Sequence, residues 1–420
     1  MTRFWHPFSD MRALAGSGEV VIDRGEGYYI FDDSGNRYLD ATASLWYCNV
    51  GHGRQAIVEA VSRQMSRLEA YSTFGDLANR PVIELADRIA EIAPIPESLS
   101  FFTSGGSDSI DTAVKLSRRY FQVTGQPRRQ YVLTRERSYH GMHIAGTSIA
   151  GLEPNSEGYG ELLPATRRVL WDSADDLFST IEELGPENVA AFICEPVIGA
   201  GGVLAAPDGY LEKARTICRD AGVLFVADEV ITGFGRVGAW FASERFGLEP
   251  DMIVCAKGIT SGYMPMGAVV VAPWIAEPWV RGNAGMWRHG YTYSGHATAA
   301  AAALANLEIL EPLLAPALVL EVELATALKP LARHQLVAEV RAGTGVLAAV
   351  ELDSAAVEED PALPQRVVAA CRQEGIMTRM LAGHSIQISP PLTLDGPGLH
   401  ELAGGLGQAL DRAAGRSIDS

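Results

Sequence analysis

The 420-residue sequence predicts an α/β fold: a mostly parallel sheet covered by helices, followed by a smaller α+β domain. Two observations carry this. From about residue 54 to 310, short continuous apolar runs alternate with amphipathic helical stretches, and strands apolar on both faces belong to sheets covered on both sides. After the alanine-rich stretch 297–310 the order changes to a long helix, strands, a helix, a strand and a last helix.

Taken in order, the first 45 residues read as β-rich, with strands at 19–23 and 28–32 and a Ser34-Gly-Asn36 turn leading into 37–40. This is a small layer attached to something larger. Helices follow at 54–69 and 80–92, a strand at 99–103, a helix at 108–123 and a strand at 130–134. Further strands fall near Val169 and at 189–194, 223–227, 252–255 and 268–272. Beyond the helix 297–310 the expected elements are a helix at 316–333, strands at 337–341 and 346–352, a helix at 364–374, a strand at 386–388 and a helix ending near 413. The resulting division is 1–45, 46–312 and 313–420.

Composition excludes several classes of function. A net charge of −17 argues against nucleic acid or an anionic membrane as partner, and the arginine pairs 118–119, 128–129 and 167–168 read as ordinary surface positions. Five cysteines without CxxC spacing read as reduced thiols with no metal site. The amino terminus lacks an apolar signal region, and no uninterrupted apolar run approaches the roughly 20 residues that span a bilayer. A cytoplasmic location is expected.

Chemistry enters at Lys257, one of only four lysines against 30 arginines, which follows the apolar run Met252-Ile-Val-Cys-Ala256. Burial lowers an ammonium pKa and frees the amine as a nucleophile, as a Schiff-base lysine requires. Asp228 ends the apolar run Gly222-Val-Leu-Phe-Val-Ala227, and an acid at a strand's carboxyl end points into the crevice of an open α/β sheet. The pair suits pyridoxal 5′-phosphate (PLP), with the lysine on the aldehyde and the aspartate on the pyridine nitrogen. A buried Lys–Asp ion pair is the other reading of the same two residues. Thr103-Ser-Gly-Gly-Ser-Asp108 joins a strand to a helix, where unpaired N–H groups attract a dianion, although such a turn also serves as a tight connection. Tyr139 reads either as core or as an aromatic stacked on a cofactor ring.

Together with Glu195-Pro-Val197, Asp228-Glu-Val230, Gly233-Phe-Gly-Arg236, Ala256-Lys-Gly258 and His289-Gly-Tyr-Thr-Tyr-Ser-Gly295, these motifs resemble the class III aminotransferases of PLP fold type I, and within them the ω-amino acid and amine:pyruvate transaminases. The resemblance implies a large PLP-binding domain and a smaller domain formed by the N- and C-terminal segments. It implies a transaminase that moves an amino group from an amine, ω-amino acid or amino acid to a keto acid such as pyruvate, through a pyridoxamine phosphate intermediate. Lys257 and Asp228 take the catalytic roles. Gly106 and Ser107 bind phosphate, Tyr139 and Val230 cover the two ring faces, and Thr292 reaches the phosphate of the neighbouring chain in a homodimer. His140 is implied as a support behind the site. Trp46, Phe8, Tyr71 and Phe74 correspond to pocket walls, and Arg379, ahead of Ser389-Pro-Pro-Leu392, to a mobile arginine that binds carboxylates. Glu195 anchors either the pocket or a substrate group. A decarboxylase, racemase or aminomutase of the same fold uses the same lysine and aspartate, and a non-catalytic binding protein is the more distant alternative.

Overall fold

The computed structural model describes residues 3–415. Its centre is a seven-stranded sheet whose order is Leu99–Thr103, Gly267–Val271, Met252–Cys255, Leu224–Asp228, Val189–Cys194, Tyr131–Arg135, Thr166–Val169. The three middle parallel strands, Met252–Cys255, Leu224–Asp228 and Val189–Cys194, are buried at every position. Their continuous apolar sequences follow from this, because helices cover both faces. Gly267–Val271 runs antiparallel to both of its neighbours and every other pair is parallel. The carboxyl ends of the other six strands therefore open on one edge. Helix Gly106–Val123 crosses one face, packing against Leu99–Thr103, Gly267–Val271, Met252–Cys255, Leu224–Asp228 and Val189–Cys194.

The chain's two ends are joined by strand pairing. Ile22–Glu26, Tyr29–Asp32 and Arg37–Asp40 form an antiparallel ribbon, and Ile376–Met377 adds to Arg37–Asp40 in parallel. A second antiparallel sheet takes Val337–Arg341, Ala348–Leu352, Ser385–Ile388 and Met380–Leu381.

Several expectations shift. The first strand lies at Ile22–Glu26 instead of 19–23, because the bend at Gly27, with φ 59°, sets Glu26 opposite Tyr29 and leaves Val20 and Val21 exposed. A helix, Met11–Ser17, precedes it, capped by Asp10, which accepts from the N–H groups of Arg12 and Ala13. The expected helix 316–333 ends at Leu328, and Lys329–Arg333 continues as a 3₁₀ turn containing Pro330, which has no N–H for the helical ladder. Arg129 is no ordinary surface residue: its guanidinium donates to the carbonyls of Pro186, Val189 and Ala221, and burial lowers its pKa. By composition and length the helical run Ala297–Arg333 is apolar enough to cross a membrane. Here its first part packs on Gln55–Arg67 and Arg80–Ile92, and Glu321 within it pairs with Arg245.

One buried side chain ties these layers together. Arg236 donates to the carbonyls of Val346 at 3.2 Å, Ser389 at 3.3 Å and Pro390 at 2.6 Å, and to the amide oxygen of Asn49. Asn49 in turn donates to the carbonyl of Phe234 at 2.7 Å. Burial lowers the guanidinium pKa to about 10, and hydrogen bonds to carbonyls, instead of a carboxylate, hold the charge. Arg236→Ala should destabilise the protein by roughly 3–5 kcal/mol, since it opens a cavity and orphans several buried acceptors. Urea unfolding checks this; an unchanged midpoint would show that the staple is dispensable.

Candidate active site

Parallel register places the central groups side by side. Asp228 pairs with Val254 and Ala227 with Cys194, so Glu195, Asp228 and Lys257 lie at the carboxyl ends of three neighbouring strands. They line a cavity of about 400 Å³ together with Ser104–Ser107 at the start of the crossing helix, the Tyr139-His140-Gly141 loop and Val230.

Lys257 adopts φ 45°, a left-handed conformation that is uncommon for a residue with a Cβ, in the turn Lys257–Ile259. Burial, aided by the Arg379 charge, lowers its ammonium pKa to about 8 against the attraction of Asp228 and Glu195. Asp228 is held on both oxygens: His140 Nδ1 lies 2.7 Å from one, and the Val230 N–H donates to the other at 3.1 Å. A carboxylate only accepts, so Nδ1 carries the proton toward Asp228. His140 Nε2 sits 2.8 Å from the Thr134 hydroxyl, which fixes the imidazole from behind.

Glu195 is occupied differently. One oxygen accepts from the Tyr139 N–H at 2.9 Å and the other from the Gly199 N–H at 3.0 Å. Burial, with Asp228 adding to it, holds this carboxyl above its ordinary pKa. Of the two readings of Glu195, the geometry favours the pocket anchor over the substrate contact.

The helix start is built for close approach. No side chain caps the first N–H groups of Gly106–Val123, while Asp108 turns back to accept from the Ser104 N–H at 3.0 Å. A Cβ on Gly106 would lie 3.1 Å from Val230, and one on Gly141, where φ is 85°, would lie 2.4 Å from the Ser107 hydroxyl. That hydroxyl accepts from the Met142 N–H at 3.2 Å. Opposite, the Arg379 guanidinium lies 4.6 Å from the centre of the Trp46 ring and Lys257 Nζ lies 5.4 Å from it. Arg379 donates to Gln387 at 2.7 Å and has no carboxylate partner among the described residues, which removes the surface salt bridge as its explanation.

These residues fit PLP: an amine with a depressed pKa, a buried carboxylate held by an imidazole, and an uncapped helix N-terminus kept open by glycine. The family profile described as Aminotransferase class-III matches residues 13–410.

The chain belongs to the class III aminotransferases.

Enzymes of this class depend on PLP. The chain is 40% identical to the putrescine–pyruvate aminotransferase of Pseudomonas aeruginosa, the match covering 97% of this chain and 94% of that one. A thermostable (S)-enantioselective ω-transaminase from Thermomicrobium roseum superposes with a TM-score of 0.94 at 39% identity, covering 99% and 96%. A PLP-bound amine transaminase from an uncultivated Pseudomonas species gives 0.92 at 36%, covering 98% and 99%. The fold is therefore PLP fold type I, as the motifs implied.

Of the site residues expected in this aminotransferase, Lys257, Asp228, Gly106, Ser107, Tyr139, Val230 and Glu195 line one cavity, and Trp46 and Arg379 flank it. Phe8, Tyr71 and Phe74 do not join them: they are 74%, 65% and 56% exposed. Thr292 is also exposed, on a segment that packs with the Phe74 loop, where Thr73 donates to the Ser294 carbonyl at 2.8 Å. Sequence reasoning missed Met264, Pro265 and Met266, which also line the cavity. They precede the antiparallel strand Gly267–Val271, whose amino end, not its carboxyl end, reaches this edge.

The depressed lysine pKa has a direct consequence. In the PLP-free protein, acetylation of Lys257, resolved from Lys115, Lys213 and Lys329 by peptide mass spectrometry, should become half-maximal near pH 8. A midpoint above pH 10 would show an amine solvated like any surface lysine.

Proposed function

We propose that this aminotransferase moves the amino group of an amine or ω-amino acid to a keto acid such as pyruvate, with Lys257 and Asp228 as its catalytic residues. The observation that carries the reading is the convergence of Lys257, Asp228 and the open helix start on one cavity. The names of the relatives support the donor and acceptor classes. When bound, PLP supplies a carbonyl for the donor amine and a ring that stabilises a carbanion. Lys257 Nζ would hold its aldehyde end and is the base placed to move the proton of the carbon that bears the amino group. Asp228, oriented by His140, would hold a proton on the pyridine nitrogen. Tyr139 and Val230 would confine the ring, and the N–H groups of Gly106 and Ser107 would hold the phosphate. Trp46 walls the substrate side, and Arg379 receives a substrate carboxylate.

The exposed positions support a homodimer with shared sites. Thr292 reaches across to the phosphate corner of the neighbouring chain, and Phe8, Tyr71 and Phe74 line an entrance that two chains complete. Sedimentation should then give two chains per particle, and a monomer that retains full activity would remove this part of the reading.

Titration of the PLP-loaded protein with L-alanine, β-alanine and an arylalkylamine tests the function. The yellow absorbance should fall with an accepted donor while its ketone or aldehyde appears, and adding pyruvate should restore the colour. Release of CO2 or racemisation without a keto product would contradict transamination. Lys257→Ala should abolish turnover and leave the fold intact, as read by activity and circular dichroism. Arg379→Ala should raise KM for pyruvate by about 10- to 100-fold, the loss of a charge-assisted hydrogen bond. The half-reaction with a simple amine should change little, and equal losses with both substrates would place Arg379 outside carboxylate recognition.

A further inference from the structure

Helix Gly106–Val123 carries Lys115, Arg118 and Arg119 at the spacing that shares one helix face, and the loop after Pro273–Val280 brings Arg288 toward them. With Trp287 and Met286 they line a second cavity, of about 700 Å³, that shares no lining residue with the catalytic one. The chain has 51 acidic residues against 34 basic ones, yet no carboxylate lines this cavity. Among the described residues none of the four cations is in an ion pair. Asp111, one turn before Lys115, instead accepts from the Gly146 N–H at 3.3 Å.

Three of the cations are held in place by neutral partners. Arg118 donates to the carbonyls of Gln130 at 2.8 Å and Pro164 at 2.7 Å, and its burial lowers its pKa. Arg119 donates to the Gln122 side chain. Lys115 Nζ lies 2.8 Å from His289 Nδ1, whose pKa burial and the neighbouring Lys115 lower to about 4. At neutral pH this imidazole therefore accepts from Lys115 and adds no charge. Lys115 attracts Asp111 without a direct contact, but the like charges gathered on this face still repel one another, and an anion that satisfies several at once relieves the repulsion.

We propose that this cavity binds a small polyanion of the phosphate or pyrophosphate class. Guanidinium forks match phosphate oxygens, and a compact ligand with several charges answers four cations where a monocarboxylate leaves most of them unmatched. The site is physically linked to the phosphate corner of the catalytic cavity. His289 Nε2 lies 2.8 Å from the Thr112 hydroxyl, Thr112 lies 3.2 Å from the Tyr291 hydroxyl, and Tyr291 donates to the Asp108 carbonyl at 3.0 Å. One helix and one loop thus serve both places.

Calorimetric titration of the PLP-loaded enzyme with inorganic pyrophosphate tests the proposal, since the cofactor already fills the catalytic phosphate corner. One site per chain is expected, weakened by added salt and weakened about tenfold or more in the double variant Arg119→Ser/Arg288→Ser. Absence of binding at millimolar pyrophosphate, or undiminished affinity in the double variant, would overturn it. Neither residue lines the catalytic cavity, so PLP loading and transamination of the double variant are expected to match the wild type. A wild-type protein that fails to load PLP would count against the catalytic reading, not against this site.

Discussion

The parallel pairing of Leu224–Asp228 with Met252–Cys255 is the constraint on which the site depends. A one-residue slip would turn Asp228 to the opposite face of the sheet and separate it from His140, while every apolar side chain of the strand changed sides. Burial on both faces penalises that slip heavily. The hydrophobic core thereby fixes the catalytic geometry: the same packing that excludes water from Val226 and Ile253 brings a carboxylate and an amine to the rim of one cavity. Around the rim, polar side chains spend their hydrogen bonds on loops. Glu195 pins the Tyr139 and Gly199 backbones, and His140 pins Asp228.

The electrostatics lower the proton affinity of the amine within a site rich in carboxylates. Asp228 and Glu195 both attract a proton to Lys257, yet desolvation outweighs them, and the Arg379 charge, also beside Trp46, acts in the same direction as desolvation. Trp46 lies beside both cations and offers its ring to each. This leaves Arg379 without an anion while keeping it within the site, an arrangement suited to a substrate that brings its own carboxylate. Arg236 does the opposite work deeper down: a cation saturated by carbonyls, joining residue 49 to residues 346 and 389–390.

The sequence made the central sheet and its strand-end residues legible because continuous apolar runs and scarce charged residues at their ends leave a local signature. Lys257, Asp228 and the Ser104–Ser107 turn fall in this class. Met264–Met266 escaped because an antiparallel strand reverses which end of an apolar run faces the site, and strand direction is not written in local periodicity. Phe8, Tyr71, Phe74 and Thr292 were placed by resemblance alone. One chain leaves them exposed, and no local pattern marks them for a role. The first strand was misplaced because Val20 and Val21 look buried by composition, whereas the bend at Gly27 decides the register. The amino-terminal helix was missed although its cap, Asp10, is visible in the sequence.

Lys257 is the residue placed to hold PLP. Borohydride fixation of the PLP-loaded protein followed by peptide mass spectrometry tests it directly, because the chain offers only four lysines. The cofactor should be recovered on the peptide that contains Lys257. Its recovery on a peptide carrying Lys115, Lys213 or Lys329 instead, or on none, would contradict that role for Lys257.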